Sequence, residues 1–238
     1  MAFQTVFKRY EIKYLITVEQ KKKVLAAMEP HMKLDKYGRT AIRNLYYDTD
    51  SYLLIRRSIE KPTYKEKLRI RSYKQAEAES SVFVELKKKY NGIVYKRRLS
   101  MPERSAMDWI AGKSPAPEGQ IGAEIEYFRQ FYPGLLPAVF LSYQREAFFC
   151  REGSDFRVTF DDHILCRRED LSLESPVWGN SLLDDSRILM EVKTGGGVPL
   201  WMTQILSREK IYKTTFSKYG MAYQTMILPK LQGGFVHV

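Results

Sequence analysis

Eight segments of the chain are predicted β-strands, and most of them alternate hydrophobic and polar residues with a period of two, the pattern of a strand with one buried face. Residues 138–150 are instead a long apolar segment that carries one cation, Arg145. The clearest run is residues 65–98, KEKLRIRSYKQAEAESSVFVELKKKYNGIVYKRR, which holds three such segments. Its last two segments are joined by Asn91-Gly92, a strong hairpin signal. The eight predicted strands are residues 6–16, 40–47, 65–73, 82–90, 92–99, 138–150, 155–167 and 187–194.

Helical signals fall between and after these strands. Thr17 with Gln20 predicts a capping box that starts a helix over 18–29, and Ser100 with Glu103 predicts a second capping box. Other predicted helices are a short one within 47–57, an amphipathic one around 121–128, and closing helices at 199–208 and 217–228. The connection at 169–185 has the length of a lid or an insertion.

The length of 238 residues suits a single domain, which we place at residues 1–228, with a frayed C-terminal tail at 229–238. The N-terminus lacks the apolar region of a secretion signal, and no apolar run approaches the roughly 20 residues of a membrane span. Cys150 and Cys166 give neither a disulfide framework nor metal-ligand spacing. We therefore predict a cytoplasmic protein without a membrane span of its own.

The formal net charge of +11 indicates a polyanionic partner. Nucleic acid, an anionic membrane surface and a phosphorylated small molecule all have the required charge. Nucleic-acid binding normally needs aromatic side chains among the cations. Tyr90 and Phe83 are not expected to share the face of the neighbouring cations, although Tyr73 continues the row of Arg71. We therefore predict that nucleic acid is not the partner.

The charged faces of the predicted strands carry far more cations than acids. They hold Lys13, Lys67, Arg69, Arg71, Lys87, Lys89, Lys96, Arg98, Arg145, Arg157 and Lys193, against Glu11, Glu85, Asp161 and Glu191. A solvated sheet face is the simplest alternative, but like charges opposite each other destabilise strand pairing. An eight-stranded barrel with a charged interior must instead hold water and a ligand. The pattern favours a polyanion-binding tunnel.

Such a tunnel suits phosphoryl transfer, because converging cations stabilise the charge that shifts along a phosphate chain. A hard divalent cation, Mg²⁺ or Mn²⁺, can be held by one or two carboxylates together with phosphate oxygens. Glu191 is the first candidate ligand, and Glu11 and Glu85 are the others. For each of these acids the alternative role is a counter-ion to a neighbouring lysine.

The same residues resemble the triphosphate tunnel metalloenzymes, the CYTH-like superfamily. Within it, YKEKLRIRSY, FVELKKKYNGIVYKRR, LMEVK and FSKY are similar to the polyphosphate-polymerase (VTC) domain, and the similarity covers residues 5–228. The resemblance implies an α+β fold, an eight-stranded antiparallel β-barrel with helices packed outside. It also implies a metal-dependent phosphotransferase that adds the terminal phosphate of ATP to a growing inorganic polyphosphate chain.

Family roles carry over by position. The resemblance implies a catalytic set that lines the tunnel and holds the reacting phosphates: Lys13, Arg69, Arg71, Lys87, Arg145 and Arg157. To the substrate-binding set we assign Lys67, Lys89, Lys96, Arg98, Lys193, Ser217 and Lys218. Glu191 becomes the metal ligand, and Ser217 is equally readable as a helix N-cap.

The chain departs from the superfamily pattern in one place. Hydrolytic and cyclase members carry Glu-x-Glu-x-Lys on the first strand, and Arg9 replaces the first of these acids here. That change favours a polymerase. A tripolyphosphatase or nucleoside triphosphatase on the same barrel stays an alternative, as does a non-catalytic polyphosphate-binding module. The sequence does not reveal whether a membrane protein is a partner.

Overall fold

The computed structural model describes residues 10–233. Predictions for residues 6–9 and 234–238 therefore lie outside the described residues. The strands are β1 Tyr10–Thr17, β2 Met32–Leu34, β3 Thr40–Asp48, β4 Tyr64–Ser72, β5 Ser81–Tyr90, β6 Ile93–Pro102, β7 Leu136–Cys150, β8 Arg157–Arg167, β9 Asn180–Ser181, β10 Arg187–Thr194 and β11 Lys213–Thr214. The helices are α1 Val18–Met28, α2 Leu53–Ile59, α3 Glu103–Ile110, α4 Gln120–Phe131, α5 Leu200–Arg208, α6 Lys218–Ala222 and α7 Leu228–Gly233. A π-helical turn at Tyr223–Ile227 joins α6 to α7.

All eight predicted strands form, and the α+β class is confirmed. The strands belong to one antiparallel sheet in the order β11-β1-β10-β8-β7-β3-β4-β5-β6. The sheet has eleven strands because two short segments, β2 and β9, add to β7 and β8, and β11 adds to β1. Between the described residues, β6 has no backbone pairing with β1 or β11, so these strands do not close the sheet by hydrogen bonds.

The apolar face of the sheet is buried under helices. Leu68 and Ile70 on β4 and Leu86 on β5 have no exposed surface and pack with Trp109 of α3 and Phe128 of α4. A second cluster packs α1 and α5 on β1, β8 and β10. Burial of this kind contributes about 25 cal/mol per Å² of apolar surface, so the two clusters hold one face of every long strand in place.

The opposite face is partly covered as well. Leu141 and Leu189 are the register partners of Asn44 and Asp161, so they lie on the polar face of the sheet. Both pack with Tyr219 of α6 in a third apolar cluster. The charged face is therefore enclosed at one end by α6.

The helix signals hold with one exception. The Thr17–Gln20 capping box is confirmed. The predicted Ser100–Glu103 box is wrong, because β6 continues pairing with β5 as far as Pro102, and Pro102 is the N-cap of α3. The Ser100 hydroxyl instead lies 2.8 Å from that of Ser81 across the strands. The last predicted helix is divided by the π-helical turn, and α7 ends at Gly233, beyond the predicted domain boundary at 228.

The segment at 169–185 is anchored to the sheet. The buried Arg167 guanidinium lies 3.7 Å from the centre of the Phe140 ring. It donates hydrogen bonds to the backbone carbonyls of Glu169, Asp170, Ser172, Pro176 and Trp178. Within residues 10–233, no helix has the combination of length and apolar composition that crossing a bilayer requires.

Candidate functional site

The predicted cations lie on the polar face of the sheet because each strand alternates its side chains. Lys67, Arg69 and Arg71 point to this face, and the intervening Leu68 and Ile70 point to the buried face. Strand pairing then places Lys67 beside Lys87, and Lys87 beside Lys96. Four carboxylates, Glu11, Glu85, Asp161 and Glu191, pair with the cations of this face.

Glu85 is the most enclosed of the four. Its carboxylate contacts Arg69 Nη2 at 2.7 Å, Lys96 Nζ at 2.6 Å and Arg98 Nε at 2.7 Å, with Arg71 Nε at 3.8 Å. Burial by itself would raise the pKa of Glu85, but these four cations hold that pKa well below its ordinary value. Glu85 is thus a counter-ion that fixes cations from β4 and β6.

Asp161 performs a similar task for β7 and α6. Arg145 Nε and Nη2 each donate to its carboxylate at 2.6 Å, and Lys218 Nζ donates at 2.6 Å. Burial alone would raise the pKa of Asp161, and Arg145 and Lys218 lower it. Lys218 is the first residue of α6, where Ser217 is the N-cap and its hydroxyl accepts from the Gly220 amide at 3.2 Å.

Glu191 differs from both. Four cations surround its carboxylate, at 3.4 Å for Lys193 Nζ, 3.6 Å for the Nζ atoms of Lys13 and Lys218, and 3.7 Å for Arg145 Nη2. None of the residues in 10–233 donates a hydrogen bond to it. Burial by itself would raise the pKa of Glu191, but the four cations hold it well below its ordinary value. The result is a buried anion whose oxygens are surrounded yet not directly bonded.

Glu11 connects distant parts of the sheet. Its carboxylate lies 2.8 Å from Lys87 Nζ and 3.7 Å from Lys193 Nζ. Lys87 lowers the pKa of Glu11 to about 2, against the opposing effect of burial. Since Glu11 is on β1 and Lys87 is on β5, this ion pair brings the charged ends of the sheet together.

Lys67 is a half-buried cation that makes no ion pair with residues 10–233. Its Nζ contacts the Ser217 hydroxyl at 3.3 Å and lies 5.9 Å from the centre of the Tyr219 ring. Burial, followed by the charges of Lys13 and Lys65, lowers the pKa of Lys67 to about 7. An anion bound beside this lysine would favour the charged ammonium form and so raise its pKa again.

The connected cluster has a large positive surplus. It holds four carboxylates and ten cations, of which all but Lys67 pair with a carboxylate: Lys13, Lys67, Arg69, Arg71, Lys87, Lys96, Arg98, Arg145, Lys193 and Lys218. Two predicted site residues are not drawn in. Lys89 and Arg157 lie on the same face by register but are exposed, and neither has an ion pair with residues 10–233.

Three residues that the sequence reading did not single out hold the arginines. Arg69 Nη1 donates to the Tyr46 hydroxyl at 2.7 Å. Arg71 Nε donates to Asn44 Oδ1 at 2.9 Å, and its Nη2 lies 3.3 Å from the Tyr143 hydroxyl. The signal was present, because the polar side chains of Asn44 and Tyr46 recur at every second position of an otherwise buried strand.

The aromatic residues require one correction. Phe83 shares the cation face, since it is the register partner of Arg71, and the Arg98 guanidinium lies 4.3 Å from its ring centre. The Tyr73 hydroxyl accepts from Arg98 Nη2 at 3.0 Å. Both rings pack edge to face and support Arg98, so Phe83 contributes to the site despite the opposite prediction.

The carboxylates differ in how well they suit a divalent cation. Within residues 10–233, no three His, Cys, Asp or Glu side chains converge as a ready-made metal site. Glu85 and Asp161 have their oxygens occupied by direct bonds to cations. The oxygens of Glu191 are not so occupied. A hard cation that is held by Glu191 and by phosphate oxygens fits this donor set.

Comparison with known proteins agrees with the geometry. The VTC domain profile matches residues 8–227. Subunit 4 of the vacuolar transporter chaperone complex of Trypanosoma brucei brucei is 26% identical over 212 residues, which is 71% of this chain. The chain spans 27% of the length of that relative.

Solved structures share the fold. A candidate adenylate cyclase from Bacillus halodurans superimposes with a TM-score of 0.59 at 16% identity, covering 94% of this chain and 100% of that one. A Hippeastrum protein, described as a candidate adenylyl cyclase with a dominant triphosphatase activity, superimposes with a TM-score of 0.53 at 15% identity, covering 93% and 97%. At these identities, the likeness establishes the tunnel fold alone.

Proposed function

The chain belongs to the VTC domain family, and on that premise we propose that it is a polyphosphate polymerase. It would transfer the terminal phosphate of ATP to a growing inorganic polyphosphate chain. The observation that carries the proposal is the enclosed surplus of cations, in which Lys67 has no carboxylate partner within residues 10–233. A chain of phosphates supplies that missing negative charge at regular spacing.

In this proposal the protein contributes alignment and charge rather than a covalent nucleophile. Arg69 is held by Glu85 and Tyr46, and Arg71 by Asn44 and Tyr143, so both guanidinium groups are fixed in place before a phosphate chain binds. Preorganised donors of this kind cost little reorganisation when charge moves during transfer.

A divalent cation, Mn²⁺ or Mg²⁺, would be held by Glu191, with Glu11 nearby as the second candidate acid. When bound, it would neutralise charge on the phosphates that react. The four cations around Glu191 oppose a bare metal ion. We therefore expect the ion to bind together with the phosphate chain rather than before it.

The second candidate function is hydrolysis of tripolyphosphate or nucleoside triphosphate on the same fold. The Hippeastrum protein supports this alternative, because it shares the fold of this chain and is described as having a dominant triphosphatase activity. A third possibility is a module that binds polyphosphate without turnover.

One assay distinguishes the three functions. The purified protein is incubated with ATP and Mn²⁺, and the products are resolved by gel for long-chain polyphosphate and assayed for free phosphate. Long chains from the wild type but not from Glu191→Gln support the polymerase. Free phosphate without chains supports the hydrolase, and retained polyphosphate binding without turnover supports the module. Glu209→Gln is the matched control, since Glu209 pairs with Lys23 on α1, away from the cluster.

The relative from Trypanosoma is named as a subunit of a transporter chaperone complex, so we further propose that a membrane protein receives the product. A cytoplasmic location is a prediction from the sequence. Co-purification of the full chain from its native membranes, with and without a high-salt wash, would test for such a partner.

A further inference from the structure

Among residues 10–233, two buried hydroxyl groups have no hydrogen-bond partner: Thr159 Oγ1 and Ser142 Oγ. Thr159 is 5% exposed and Ser142 is 2% exposed. A buried hydroxyl without a partner is destabilising, because it has lost its bonds to water and gained none in the protein. Such a group therefore needs a reason for its presence.

The position of Thr159 supplies a reason. It lies on β8 between Arg157 and Asp161, on the charged face of the sheet. Its register partner on β10 is Glu191, and its partner on β7 is Ala147. Directly opposed residues of an antiparallel pair have Cβ atoms about 4.5–5.5 Å apart on the same face. The unpartnered hydroxyl is therefore a neighbour of the carboxylate to which residues 10–233 donate no hydrogen bond.

Valine would serve the strand as well as threonine. The two side chains have nearly the same shape and the same β-branched preference for strands, and valine carries no polar atom to leave unsatisfied. The hydroxyl is thus not needed for packing. Ser142 offers a contrast, since its register partner is Arg43 on the face that does not carry the cluster.

We propose that the Thr159 hydroxyl belongs with Glu191 to the oxygen set that binds a divalent cation, by contacting the ion or a water molecule in its shell. Oxygen ligands from carboxylates, hydroxyls, water and phosphate are those that Mg²⁺ and Mn²⁺ prefer. The inference deepens the proposed function and rests on it, because the phosphate chain must overcome the repulsion between the ion and the surrounding lysines.

The test compares tripolyphosphate binding by calorimetry with EDTA and with saturating Mn²⁺, in the wild type and three variants. We expect Thr159→Val to bind metal-free tripolyphosphate like the wild type, and to lose roughly three- to tenfold of the affinity gained with Mn²⁺. Its melting temperature without ligand should rise, because the orphaned hydroxyl is gone. Thr159→Ser keeps the hydroxyl, so its affinity for tripolyphosphate should increase with Mn²⁺ as much as that of the wild type. Ser142→Ala, the matched control, should raise the melting temperature and leave both affinities unchanged.

Three outcomes would overturn the assignment. An equal loss of affinity with EDTA and with Mn²⁺ would mean that Thr159 contacts phosphate rather than the ion site. Identical Mn²⁺ gains in the wild type and Thr159→Val, or no gain in either, would mean that the hydroxyl has no part in ion binding. If the wild type does not bind tripolyphosphate at all, the proposed function fails as well, which is a separate result.

Discussion

Polyphosphate affinity should fall as the pH rises, because Lys67 must recover a proton to bind an anion. Burial lowers the pKa of Lys67 to about 7 in the free protein. A phosphate placed against its Nζ favours the charged form, so the pKa rises in the complex. Binding therefore takes up a proton at any pH between these two values, and the affinity decreases with pH over that range.

The size of the effect follows from the pKa. A lysine with a pKa of about 7 is roughly 90% neutral at about pH 8 and roughly 10% neutral at about pH 6, so the affinity should fall about tenfold between these conditions. That change corresponds to about 1.4 kcal/mol. Lys96 has a pKa lowered to about 7 as well, again chiefly by burial. Its side chain is 38% exposed, so solvent screens its contribution.

The assay is calorimetric titration with long-chain polyphosphate, whose internal phosphates stay ionised throughout, in two buffers of different ionisation enthalpy. The wild type should take up protons near pH 8. Lys67→Arg keeps the charge without titrating in this range, so its affinity should change less with pH and exceed that of the wild type at pH 8. A wild-type affinity that is constant from pH 6 to 8, or a slope that Lys67→Arg leaves unchanged, would refute the reasoning.

Other predictions concern stability. Glu85→Gln should lower the free energy of unfolding by about 3–5 kcal/mol, because it leaves four cations uncompensated. Added polyphosphate should therefore raise the melting temperature of this variant by more than it raises that of the wild type. Lys67→Met should raise the melting temperature at pH 6 by removing a charge that the fold does not neutralise, while weakening polyphosphate binding; a lower melting temperature would contradict this. Arg167→Lys should lower the free energy of local opening of the loop at 169–178 by about 2–3 kcal/mol, because lysine cannot make all of the arginine's hydrogen bonds. Hydrogen exchange should then be faster in this loop and unchanged in β4.

Most of the fold could be predicted because most of its strands alternate apolar and polar residues, and the long strand at 138–150 is marked by its apolar composition. The eight long strands and the Thr17–Gln20 capping box follow from these local patterns. The short strands β2, β9 and β11 could not be found this way, since two or three residues carry no period. The Ser100 capping signal failed because strand pairing across β5 and β6 outweighed a local preference, which is the usual result when tertiary contacts compete with a cap.

The cations of the site could be predicted from their faces, but not which acid each of them meets. In the sequence, Asp161 and Glu191 look alike, since each is an acid that shares a predicted strand face with a cation, Arg157 and Lys193 respectively. Lys218 at the start of α6, a helix near the end of the chain, makes the distinction: its Nζ lies 2.6 Å from the Asp161 carboxylate but 3.6 Å from that of Glu191. Tyr143 was likewise invisible, because its role comes from three cations on three different elements, Arg71, Arg145 and Lys218.

The way in which the sheet ends meet has a mechanical consequence. In a fully hydrogen-bonded barrel, strand number and stagger set the diameter rigidly. Here the contact between β1 and β5 is the Glu11–Lys87 ion pair, and within residues 10–233 no backbone ladder joins β6 back to β1 or β11. On the proposed function, the separation of β1 and β5 would therefore depend on this one ion pair, and a phosphate that replaced Glu11 as the counter-ion of Lys87 would change it without a change of secondary structure.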